Sequence, residues 1–487
     1  MSEKHKDFLS LYPEYEATIG IEVHVQLKTN SKIFCSCPNR FGDAPNSNIC
    51  PVCTGLPGSL PVLNKTVINY GIMAGLATNS SITPYIDFSR KHYMYPDLPK
   101  NYQITQDDKP ICTNGSITIK TDDGSLKTIR IARIHMEEDA GKNIHSTGKS
   151  LVDLNRAGTP LLEIVSHPDI ASSQEARQYL MKLHTLMTYL DVTDGNMEEG
   201  SFRADANVSV KLKTAQELGT RVELKNINSF KFISQAIDYE IERHITTLER
   251  GEKLKQETRL WDSKKNQTYF MRSKEVAQDY RYFTEPDIPG ISITSEWIEQ
   301  IKTQLPELPE QKIARFQRDY NLSEYDASVL TENKSVAQYY EATTQACSNP
   351  KLASNWIMRD VLGFMKDHKI EDCDALKITA ANLGTLIKAV DQGTINNKAA
   401  VEVFLECATT GTDPLAIIEA KGLQQIGSSE EIEALVLQVI TQNPTEVGLY
   451  KAGNEKLFGF LVGQAMKACK GKGNPKLINE LLKKHLA

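Results

Sequence analysis

The sequence contains no run of apolar residues long enough to cross a membrane. Its 487 residues are 40% hydrophobic and 24% charged, whereas a membrane-spanning helix needs about 18 consecutive apolar residues. A basic stretch followed by an apolar one, the pattern of a signal peptide, is also missing from the polar N-terminal segment. We therefore expect a cytoplasmic protein with no membrane partner.

Cysteine is present, but not in the pattern of a disulfide framework. The nine cysteines are an odd number; four of them lie between residues 35 and 53, and the other five are scattered along the chain. Disulfide-stapled domains are small and use even numbers of cysteines. The pattern excludes that class of protein and draws attention to the crowded four.

Several common catalytic motifs are missing as well. The sequence has no GxSxG, HExxH or GxGxxG motif, so neither a serine hydrolase nor a dinucleotide enzyme is indicated. Gly148-Lys149-Ser150 ends like a phosphate-binding P-loop, but the position five before Gly148 is Asn143. Because a strand rather than a helix is predicted to follow, there is no Walker site.

Length and residue pattern predict an α+β fold with three domains. Single hydrophobic cores stop growing at about 250 to 300 residues, and this chain has 487. The apolar-polar alternation typical of strands is frequent up to the segment FTEPDIP at 283–289 and then gives way to helical spacing. We predict a mainly antiparallel catalytic domain at 1–292, a helical domain at 293–408 and a helical tail at 409–487.

Two long segments alternate strictly and are predicted to be half-buried strands. They are ATIGIEVHVQL at 17–27 and FRADANVSVKL at 202–212. Each carries an apolar face and a polar face, and the polar side chains include Glu22, His24, Arg203 and Asp205. Two helices are predicted between or after them, at 173–190 and at about 229–250, from apolar residues at helical spacing.

The four crowded cysteines have the spacing of a zinc site. Cys35-x-Cys37 and Cys50-x-x-Cys53 form two short pairs with 12 residues between them, and each pair can act as a local chelate. A closed site of four thiolates leaves no position open for substrate, so the predicted zinc is structural. The alternative is four reduced thiols that bind no metal.

Carboxylates and imidazoles on the predicted strands indicate a second, catalytic metal. Glu22 and His24 share one strand face, His135 and Glu137 share another, and Glu163 lies on a third strand. Oxygen ligands with few imidazoles suit magnesium, which keeps several waters and binds substrate phosphates. The pattern predicts a magnesium site for phosphoryl chemistry. The alternative is a set of solvated charges on an exposed sheet face.

Two basic segments could contact nucleic acid. RKHYMYPDLPKNYQITQ, residues 90–106, combines basic residues with tyrosines, a mixture suited to phosphates and stacked bases. An ordinary tyrosine-rich loop is the alternative. Residues 447–487 hold eight Lys and two Glu, a net charge of +6, which leaves −12 for the rest of the chain. This basic end is a candidate for contact with a polyanion.

Seven segments of the chain form a characteristic series: IGIEVHVQL (19–27), CPVCTGLPGSLPVLN (50–64), RKHYMYPDLPKNYQI (90–104), HMEEDAGK (135–142), VDLNRAGTPLLEIVS (152–166), ELKNINSF (223–230) and DYRYF (279–283). Taken together and in order, they resemble one family, the B subunit of the glutamine-dependent Asp/Glu-tRNA amidotransferase (GatCAB). The resemblance runs from about residue 16 to the C-terminus.

The resemblance implies a cradle-like catalytic domain, a helical domain and a small helical tail that engages tRNA. It implies an ATP-dependent ligase that phosphorylates the side-chain carboxylate of Glu or Asp mischarged on tRNA(Gln) or tRNA(Asn). Ammonia from glutamine then displaces the phosphate. The implied substrate is ATP, and the implied metals are magnesium and a structural zinc. Magnesium would neutralise charge on the transferring phosphoryl group.

The resemblance also implies partners. The sequence lacks the Gly-Gly-Ser-Ser signature of an amidase, so an amidase A subunit and a small C subunit are expected in a heterotrimer with this chain. Two alternatives from other classes are a non-catalytic tRNA-binding zinc module and a zinc hydrolase. The four-thiolate pattern argues against the hydrolase, because a catalytic zinc needs an open position.

The resemblance also implies roles for individual residues in the matched motifs. The implied magnesium ligands are His24, Glu137 and Glu163, and the implied zinc ligands are Cys35, Cys37, Cys50 and Cys53. The residues expected to act in catalysis are Glu22, Glu138 and Lys91. The residues expected to contact ATP or line the pocket are Arg90, Lys91, Arg203, Asp205, Lys225 and Asn226.

Overall fold

The computed structural model describes residues 8–273, 279–424, 429–469, 473 and 475–486. It forms two compact units, Met1–Leu308 and Pro309–Ala487. Every strand of the described residues lies in the first unit, and the second is helical. The predicted α+β class, with helices at the C-terminal end, is confirmed. Among the described helices, none combines the length and the apolar character that crossing a membrane would require.

The strands of the first unit are, in chain order, β1 (Tyr15–Gln26), β2 (Ser81–Ile82), β3 (Tyr85–Ile86), β4 (Ser89–His92), β5 (Tyr102–Thr105), β6 (Cys112–Lys120), β7 (Leu126–Glu138), β8 (Lys142–Ser146), β9 (Lys149–Asp153), β10 (Pro160–Ser166), β11 (Phe202–Leu212), β12 (Val222–Lys225), β13 (Glu257–Asp262), β14 (Gln267–Ser273), β15 (Phe283–Thr284) and β16 (Ile291–Ser292).

The helices are α1 (Phe8–Leu11), α2 (Lys65–Ala77), α3 (Ser173–Tyr189), α4 (Phe230–Glu249), α5 (Ser295–Lys302), α6 (Pro309–Tyr320), α7 (Glu324–Thr331), α8 (Lys334–Cys347), α9 (Pro350–Trp356), α10 (Leu362–His368), α11 (Ala380–Asp391), α12 (Asn397–Thr410), α13 (Pro414–Ala420), α14 (Ser429–Gln442), α15 (Pro444–Lys451), α16 (Lys456–Ala468) and α17 (Pro475–Leu486). A π-helix, Ile357–Val361, joins α9 to α10, and a 3-10 helix spans Cys373–Ala375.

A nine-stranded sheet organises the first unit, in the order β14-β13-β12-β11-β1-β10-β7-β6-β2. Its neighbours are antiparallel except β12 and β13, which are parallel. On the central strand β1 the apolar positions alternate with polar ones, and the apolar face is fully buried against the helices. Burying each Ile or Val there contributes about 2 kcal/mol. The polar face of the same strand is thereby turned to the opposite side.

Helices α3 and α4 begin and end within one residue of their predicted bounds. Ser172 and Ser229 cap them, each accepting a hydrogen bond at 3.1 Å from the backbone N–H three residues later. Such a cap contributes about 1 kcal/mol. Both helices contact strands of the large sheet. They cover its apolar face.

Two short pairings tie the end of the first unit back to its beginning. β15 pairs with β4 in a three-stranded sheet that also contains β5, and β16 pairs with β3. Arg90 on β4 reinforces the first pairing, since its Nε lies 2.7 Å from the buried carboxylate of Glu285. Residues 195 positions apart in the sequence are therefore neighbours.

The division between the two units falls later than the boundary predicted at 292. Helix α5 contributes Ile301 to the core of the sheet unit and packs on α2, so the first unit ends at Leu308. The second unit has two hydrophobic clusters, and α13 belongs to the first through Ile417 and Ile418. The cluster thus extends past the boundary predicted at 408. The three-domain division itself stays a prediction.

A buried ion cluster on α4 holds this helix to the sheet. The carboxylate of Glu240 is fully buried, lies 2.7 Å from Nη2 of Arg243 and 3.2 Å from Nε of Arg259, and accepts a hydrogen bond from Thr268. Burial disfavours the charged form, but contacts with His244 and Arg243 outweigh it and lower the pKa of Glu240 to about 2. The charged form of Glu240 is therefore part of the folded state.

We expect the stability of the first unit to fall between pH 4.5 and pH 2. A carboxylate whose folded pKa is depressed from 4.5 to about 2 contributes stability above the unfolded pKa and loses it as pH falls through the folded value. The loss is about 3 kcal/mol. Urea unfolding at pH steps from 6 to 2 measures it. In the Glu240→Gln variant, which is destabilised at neutral pH, this contribution to the pH dependence should vanish.

Candidate functional site

The polar face of the large sheet brings distant residues into rows across adjacent strands. His24 on β1 lies opposite Arg203 on β11 and opposite Glu163 on β10. Glu163 in turn lies opposite His135 on β7. Directly opposed residues on antiparallel strands have Cβ atoms about 5 Å apart. One row across four strands therefore assembles two imidazoles, a carboxylate and a guanidinium.

Three side chains on this face form a compact cluster. Nε2 of His24 lies 3.4 Å from Oε2 of Glu163 and 3.6 Å from Oε1 of Glu137. The potential ligand atoms of all three lie within 4.8 Å of one another. Thr105 donates a hydrogen bond at 3.2 Å to Oε2 of Glu137. The three residues that the resemblance implies as magnesium ligands are therefore brought together.

His135 is a fourth member that the sequence-based ligand set did not include. Its Nε2 lies 3.1 Å from Oε2 of Glu163 and 3.6 Å from Oε2 of Glu137. Among the described residues its buried Nδ1 has no hydrogen-bond partner. Although burial opposes the charge, Glu163 and Glu137 raise the pKa of His135 to about 9. The alternation of His135 with Glu137 on β7 is the sequence signal that placed both on one strand face, although the motif-matched ligand set left His135 out.

The cluster suits a hard divalent cation. Carboxylate oxygens with an imidazole nitrogen form an acceptable donor set for magnesium. Magnesium with bonds of about 2.1 Å keeps ligand atoms within about 4.2 Å of one another, close to the 4.8 Å spread of His24, Glu137 and Glu163. Against the effect of burial, His135 and His24 hold the pKa of Glu163 well below its usual range. The carboxylate is therefore available as an anion.

A second cluster of side chains, made of three carboxylates, lies beside the cluster of His24, Glu137 and Glu163. The carboxylates of Glu22, Asp205 and Glu223 lie within 4.8 Å of one another. Lys225 pairs with Asp205, and its Nζ lies 3.5 Å from Oε1 of Glu223. Asn207 donates a hydrogen bond at 3.0 Å to Glu22. Of the residues predicted to act near the metal, Glu22, Asp205 and Lys225 thus converge on one place.

Lys91 and Arg90 point to opposite sides of strand β4. Glu137 and Glu163 raise the pKa of Lys91 against the effect of burial, which places its ammonium in the field of the carboxylate cluster. The guanidinium of Arg90 instead contacts Glu285 at 2.7 Å and Asp287 at 3.2 Å. The structure thus holds Arg90 in an ion cluster with two carboxylates. Its predicted phosphate contact stays a prediction.

Glu138 also lies apart from the cluster. Adjacent residues on a strand face opposite sides, so Glu138 points away from Glu137. Its carboxylate pairs with Lys100 and accepts a hydrogen bond at 2.9 Å from the backbone of Ile104. It lines a separate cavity of about 210 Å³. The position does not match the predicted place of Glu138 beside the metal ligands.

A cleft of about 690 Å³ opens beside the acidic groups. Three residues predicted to line the pocket border it, namely Arg203, Asp205 and Asn226. Nη2 of Arg203 is held at 2.8 Å by Asp139. The side chain of Asn226 donates to the backbone oxygen of Trp261 at 3.1 Å. Both side chains line the cleft, and these two contacts within the chain fix their positions.

The four crowded cysteines converge as their spacing predicts. Their sulfur atoms lie within 4.8 Å of one another, and Sγ of Cys50 and Cys53 are 3.9 Å apart. Tetrahedral zinc with bonds of about 2.3 Å separates its sulfurs by about 3.8 Å. A hydrogen bond shared with Cys35 and the nearby ammonium of Lys32 lower the pKa of Cys53 to about 4. The donor set and its charge environment fit zinc.

Comparison with known proteins agrees with this geometry. Residues 17–299 match the model of the GatB/GatE catalytic domain, and residues 338–486 match that of the GatB domain. The B subunit of the aspartyl/glutamyl-tRNA(Asn/Gln) amidotransferase of Brachyspira hyodysenteriae is 53% identical over 482 residues, which cover 97% of this chain and 100% of the relative. The protein of the same name from Syntrophotalea carbinolica is 53% identical over 475 residues, 97% of this chain and 98% of the relative.

Fold and site define an α+β protein whose mainly antiparallel sheet carries a carboxylate-imidazole cluster and whose first unit also holds a group of four cysteines. Both matched domains, and relatives over nearly the whole length, point to one family. The chain belongs to the family of aspartyl/glutamyl-tRNA(Asn/Gln) amidotransferase B subunits. The family resemblance found in the sequence is confirmed.

Proposed function

We propose that this chain is the B subunit of an ATP-dependent amidotransferase. The enzyme would convert Glu-tRNA(Gln) to Gln-tRNA(Gln), Asp-tRNA(Asn) to Asn-tRNA(Asn), or both, in the cytoplasm. An amidase A subunit and a small C subunit would complete a heterotrimer, with glutamine as the amide donor. The observation that carries the proposal is the convergence of His24, Glu137 and Glu163 on one sheet face. The names of the relatives support the substrate class.

The chemistry explains why such a cluster is needed. A carboxylate is a poor electrophile, so its oxygen first attacks the γ-phosphorus of ATP and ADP leaves. Magnesium, held by His24, Glu137 and Glu163, would neutralise charge on the transferring phosphoryl group. Lys91 lies in the field of the same carboxylates. In this proposal its ammonium contacts the phosphoryl oxygens and stabilises the charge that they develop.

The second step forms the amide bond. Ammonia attacks the carbonyl carbon of the acyl phosphate, a proton leaves the nitrogen, and phosphate departs with the bonding electrons of the C–O bond. Glu22 is the proposed acceptor of that proton, because it lies on the same face of β1 as His24, two residues away. Asp205 and Lys225 would orient the acyl group beside it.

Two further parts of the chain have proposed roles outside the reacting atoms. The four cysteines would hold a structural zinc that fixes the loop beside the sheet. The basic segment at 447–487 would contact the tRNA backbone, since phosphate contacts by lysines dominate such binding. Its loop at 470–474, apart from Gly473, lies outside the described residues.

A reconstitution experiment tests the function. The chain with its A and C partners should form Gln-tRNA or Asn-tRNA only when ATP, magnesium and glutamine are all present, with one ADP released per amide. When hydroxylamine replaces the ammonia source, it should trap the acyl phosphate as a hydroxamate on the tRNA. A tRNA-binding module without catalysis would give neither product, and that result would exclude the proposal.

Substitutions at adjacent positions of β4 test the role of Lys91. Lys91→Met should lower kcat for amidation by about 10²-fold, because it removes a cation from the charge that develops in the transition state. Arg90→Met should instead lower stability by about 3 to 5 kcal/mol, because it leaves the buried carboxylate of Glu285 unpaired. Steady-state kinetics and urea unfolding of both variants separate the two effects. Equal loss of activity with intact stability in both would contradict the assignment.

A further inference from the structure

Lys32 is a buried lysine that none of the roles proposed above uses. Its exposed fraction is 0%, although lysine is almost never fully buried unless it is paired. Its Nζ lies 2.8 Å from the backbone oxygen of Asn48, 3.4 Å from that of Leu154 and 3.7 Å from Sγ of Cys53. A lysine ammonium has three N–H donors, so each of them has an acceptor. The fold therefore holds one fully hydrogen-bonded ammonium in its interior.

The partners of Lys32 leave its charge without a carboxylate. Two of them are neutral carbonyl groups, and within the described part of the chain no Asp or Glu forms an ion pair with it. Burying an ammonium without an anion nearby is costly. Of the three partners, Cys53 is the one that can carry negative charge, and it belongs to the four-cysteine group. The counter-charge of Lys32 must therefore come from the thiolates.

The charge of a zinc-loaded group fits this requirement. Four thiolates carry four negative charges and zinc carries two positive ones, so the loaded group keeps an excess of two negative charges. An ammonium beside the sulfurs offsets part of that excess. Four reduced thiols have no net charge and would leave the ammonium uncompensated. The surroundings of Lys32 thus favour the metal-loaded group over four reduced thiols.

The sulfur that Lys32 contacts is also held by the backbone. The N–H group of Cys50 donates to Sγ of Cys53 at 3.2 Å, so two donors point at one sulfur. Hydrogen bonds from the surroundings orient a metal ligand and tune its electron donation. Cys53 is therefore fixed as a ligand from two directions, by its own loop and by Lys32.

Lys32 also joins the cysteine loop to another part of the first unit. The oxygen of Asn48 lies on the loop, and the oxygen of Leu154 lies on the segment before β10. Two further contacts join the same pieces of chain. The backbone N–H of Asn48 donates to Oδ1 of Asn155 at 2.9 Å, and that of Leu154 donates to Oδ1 of Asn46 at 2.8 Å. The ammonium thus lies where the cysteine loop meets the segment that leads to β10.

We propose that Lys32 is a positioning residue of the zinc site. Its ammonium offsets part of the negative charge of the four thiolates, donates a hydrogen bond to Cys53 and holds the loaded loop against Leu154. This inference rests on the structural zinc of the proposed function and adds a residue to it. Tight binding of zinc then depends on a fifth side chain that is not itself a ligand.

Replacing Lys32 measures its contribution to zinc binding. Lys32→Met keeps a flexible, unbranched side chain but removes the charge and the N–H donors. In the heterotrimer the Kd for zinc should rise about 10- to 100-fold, the usual cost of losing a group that supports a metal ligand. Competition with a zinc chelator of known affinity measures it. A role in packing alone would destabilise the loaded and the zinc-free protein equally and leave the Kd unchanged.

Cobalt in place of zinc gives a spectroscopic readout of the hydrogen bond. An N–H donor lowers the energy of the electrons on a thiolate sulfur, so more energy is needed to transfer them to the metal. In Lys32→Met the sulfur-to-cobalt charge-transfer band should therefore move to longer wavelength. The visible bands of cobalt should keep the intensity of a tetrahedral site, because all four thiolates remain.

The wild-type chain gives a measurement that does not depend on the folding of a variant. With zinc bound, Lys32 should resist acylation by acetic anhydride, because its Nζ is buried and hydrogen-bonded. After a chelator removes the zinc, Lys32 should be acylated several times faster, since the thiolate charge that holds it is lost. Mass spectrometry of peptides locates the label. An equal rate with and without zinc would count against the role of Lys32.

Lys127→Met is the matched control. Lys127 lies on β7, is 31% exposed and pairs with Glu175 at 2.7 Å. The same substitution there should leave both the Kd for zinc and the cobalt spectrum unchanged. If the wild type binds zinc and Lys32→Met keeps its Kd and its cobalt spectrum, the role of Lys32 is overturned alone. A wild-type heterotrimer that forms Gln-tRNA or Asn-tRNA but binds no zinc would overturn the zinc site with it, and one that forms neither would contradict the proposed function itself.

Discussion

Glu163→Gln should lower ATP-dependent amidation by about 10²- to 10³-fold while tRNA binding stays within about twofold of wild type. Glutamine keeps the shape of the side chain but not its charge. Both His24 and His135 lie within 3.4 Å of the Glu163 carboxylate, so one substitution weakens the whole cluster. Amidation kinetics with partner subunits and mischarged tRNA, together with a tRNA filter-binding assay, measure the two quantities.

Glu299→Gln is the matched control for this prediction. Glu299 lies on α5, is 67% exposed and contacts Lys302. Unlike Glu163, it is not part of a buried cluster. The same chemical change there should leave both amidation and tRNA binding unaltered. If the Glu163→Gln variant kept the wild-type rate of amidation, Glu163 would not belong to the proposed site. The carboxylates would then be surface charges.

Cys53→Ser should abolish zinc binding and lower the stability of the first unit. When free zinc exceeds its Kd about 1,000-fold, binding contributes about 4 kcal/mol to the folded state. Loss of the thiolate also deprives buried Lys32 of a neighbour at 3.7 Å. Metal analysis of the purified chain should give one zinc for the wild type and none for the variant. Thermal unfolding should begin at a lower temperature.

Cys112→Ser provides the control for zinc binding. Cys112 is buried like Cys53 but lies on β6, outside the four-cysteine group. It should keep one zinc per chain even if the substitution itself costs stability. A wild-type chain without zinc, or a Cys53→Ser chain with it, would leave the cysteines as reduced thiols with a packing role.

Local pattern was sufficient for the long elements of the sheet unit. Strict alternation located β1 and β11, and the spacing of apolar residues with a serine cap located α3 and α4. The clustering of the four cysteines was predicted from their spacing. Each short pair is already a local chelate, so only one longer contact, between the two pairs, is needed to bring all four together. Each of these features depends on residues within about 20 positions of one another, so its pattern can be recognised in the sequence itself.

The direction of side chains on two of the strands, β4 and β7, could not be predicted. Arg90 and Lys91 are adjacent basic residues on the four-residue strand β4, and Glu137 and Glu138 are adjacent acids on β7. Which member of each pair faces the cluster depends on strands paired across the sheet. That register is set by contacts far apart in the sequence. The sequence therefore pointed to both members of each pair, whereas the fold selects one.

The place of α5 in the first compact unit also depends on contacts that the local pattern does not show. Helical spacing in α5 shows that the helix has an apolar side, but it does not say which core that side joins. In the structure Ile301 joins the core of the sheet, so α5 belongs to the unit before it. Amphipathic periodicity predicts burial without identifying the partner.

The pairing of β15 with β4 has a consequence for the order in which the protein is made. The ribosome delivers the chain from its N-terminus at about 5 to 20 residues per second. Strand β4, with Lys91, emerges about 195 residues before Glu285, its anchor through Arg90. A nascent chain thus exposes the strands that carry His24, Glu137 and Glu163 before the strand that carries Lys91 is fixed. The candidate active site is completed only when synthesis of the whole sheet unit is nearly finished.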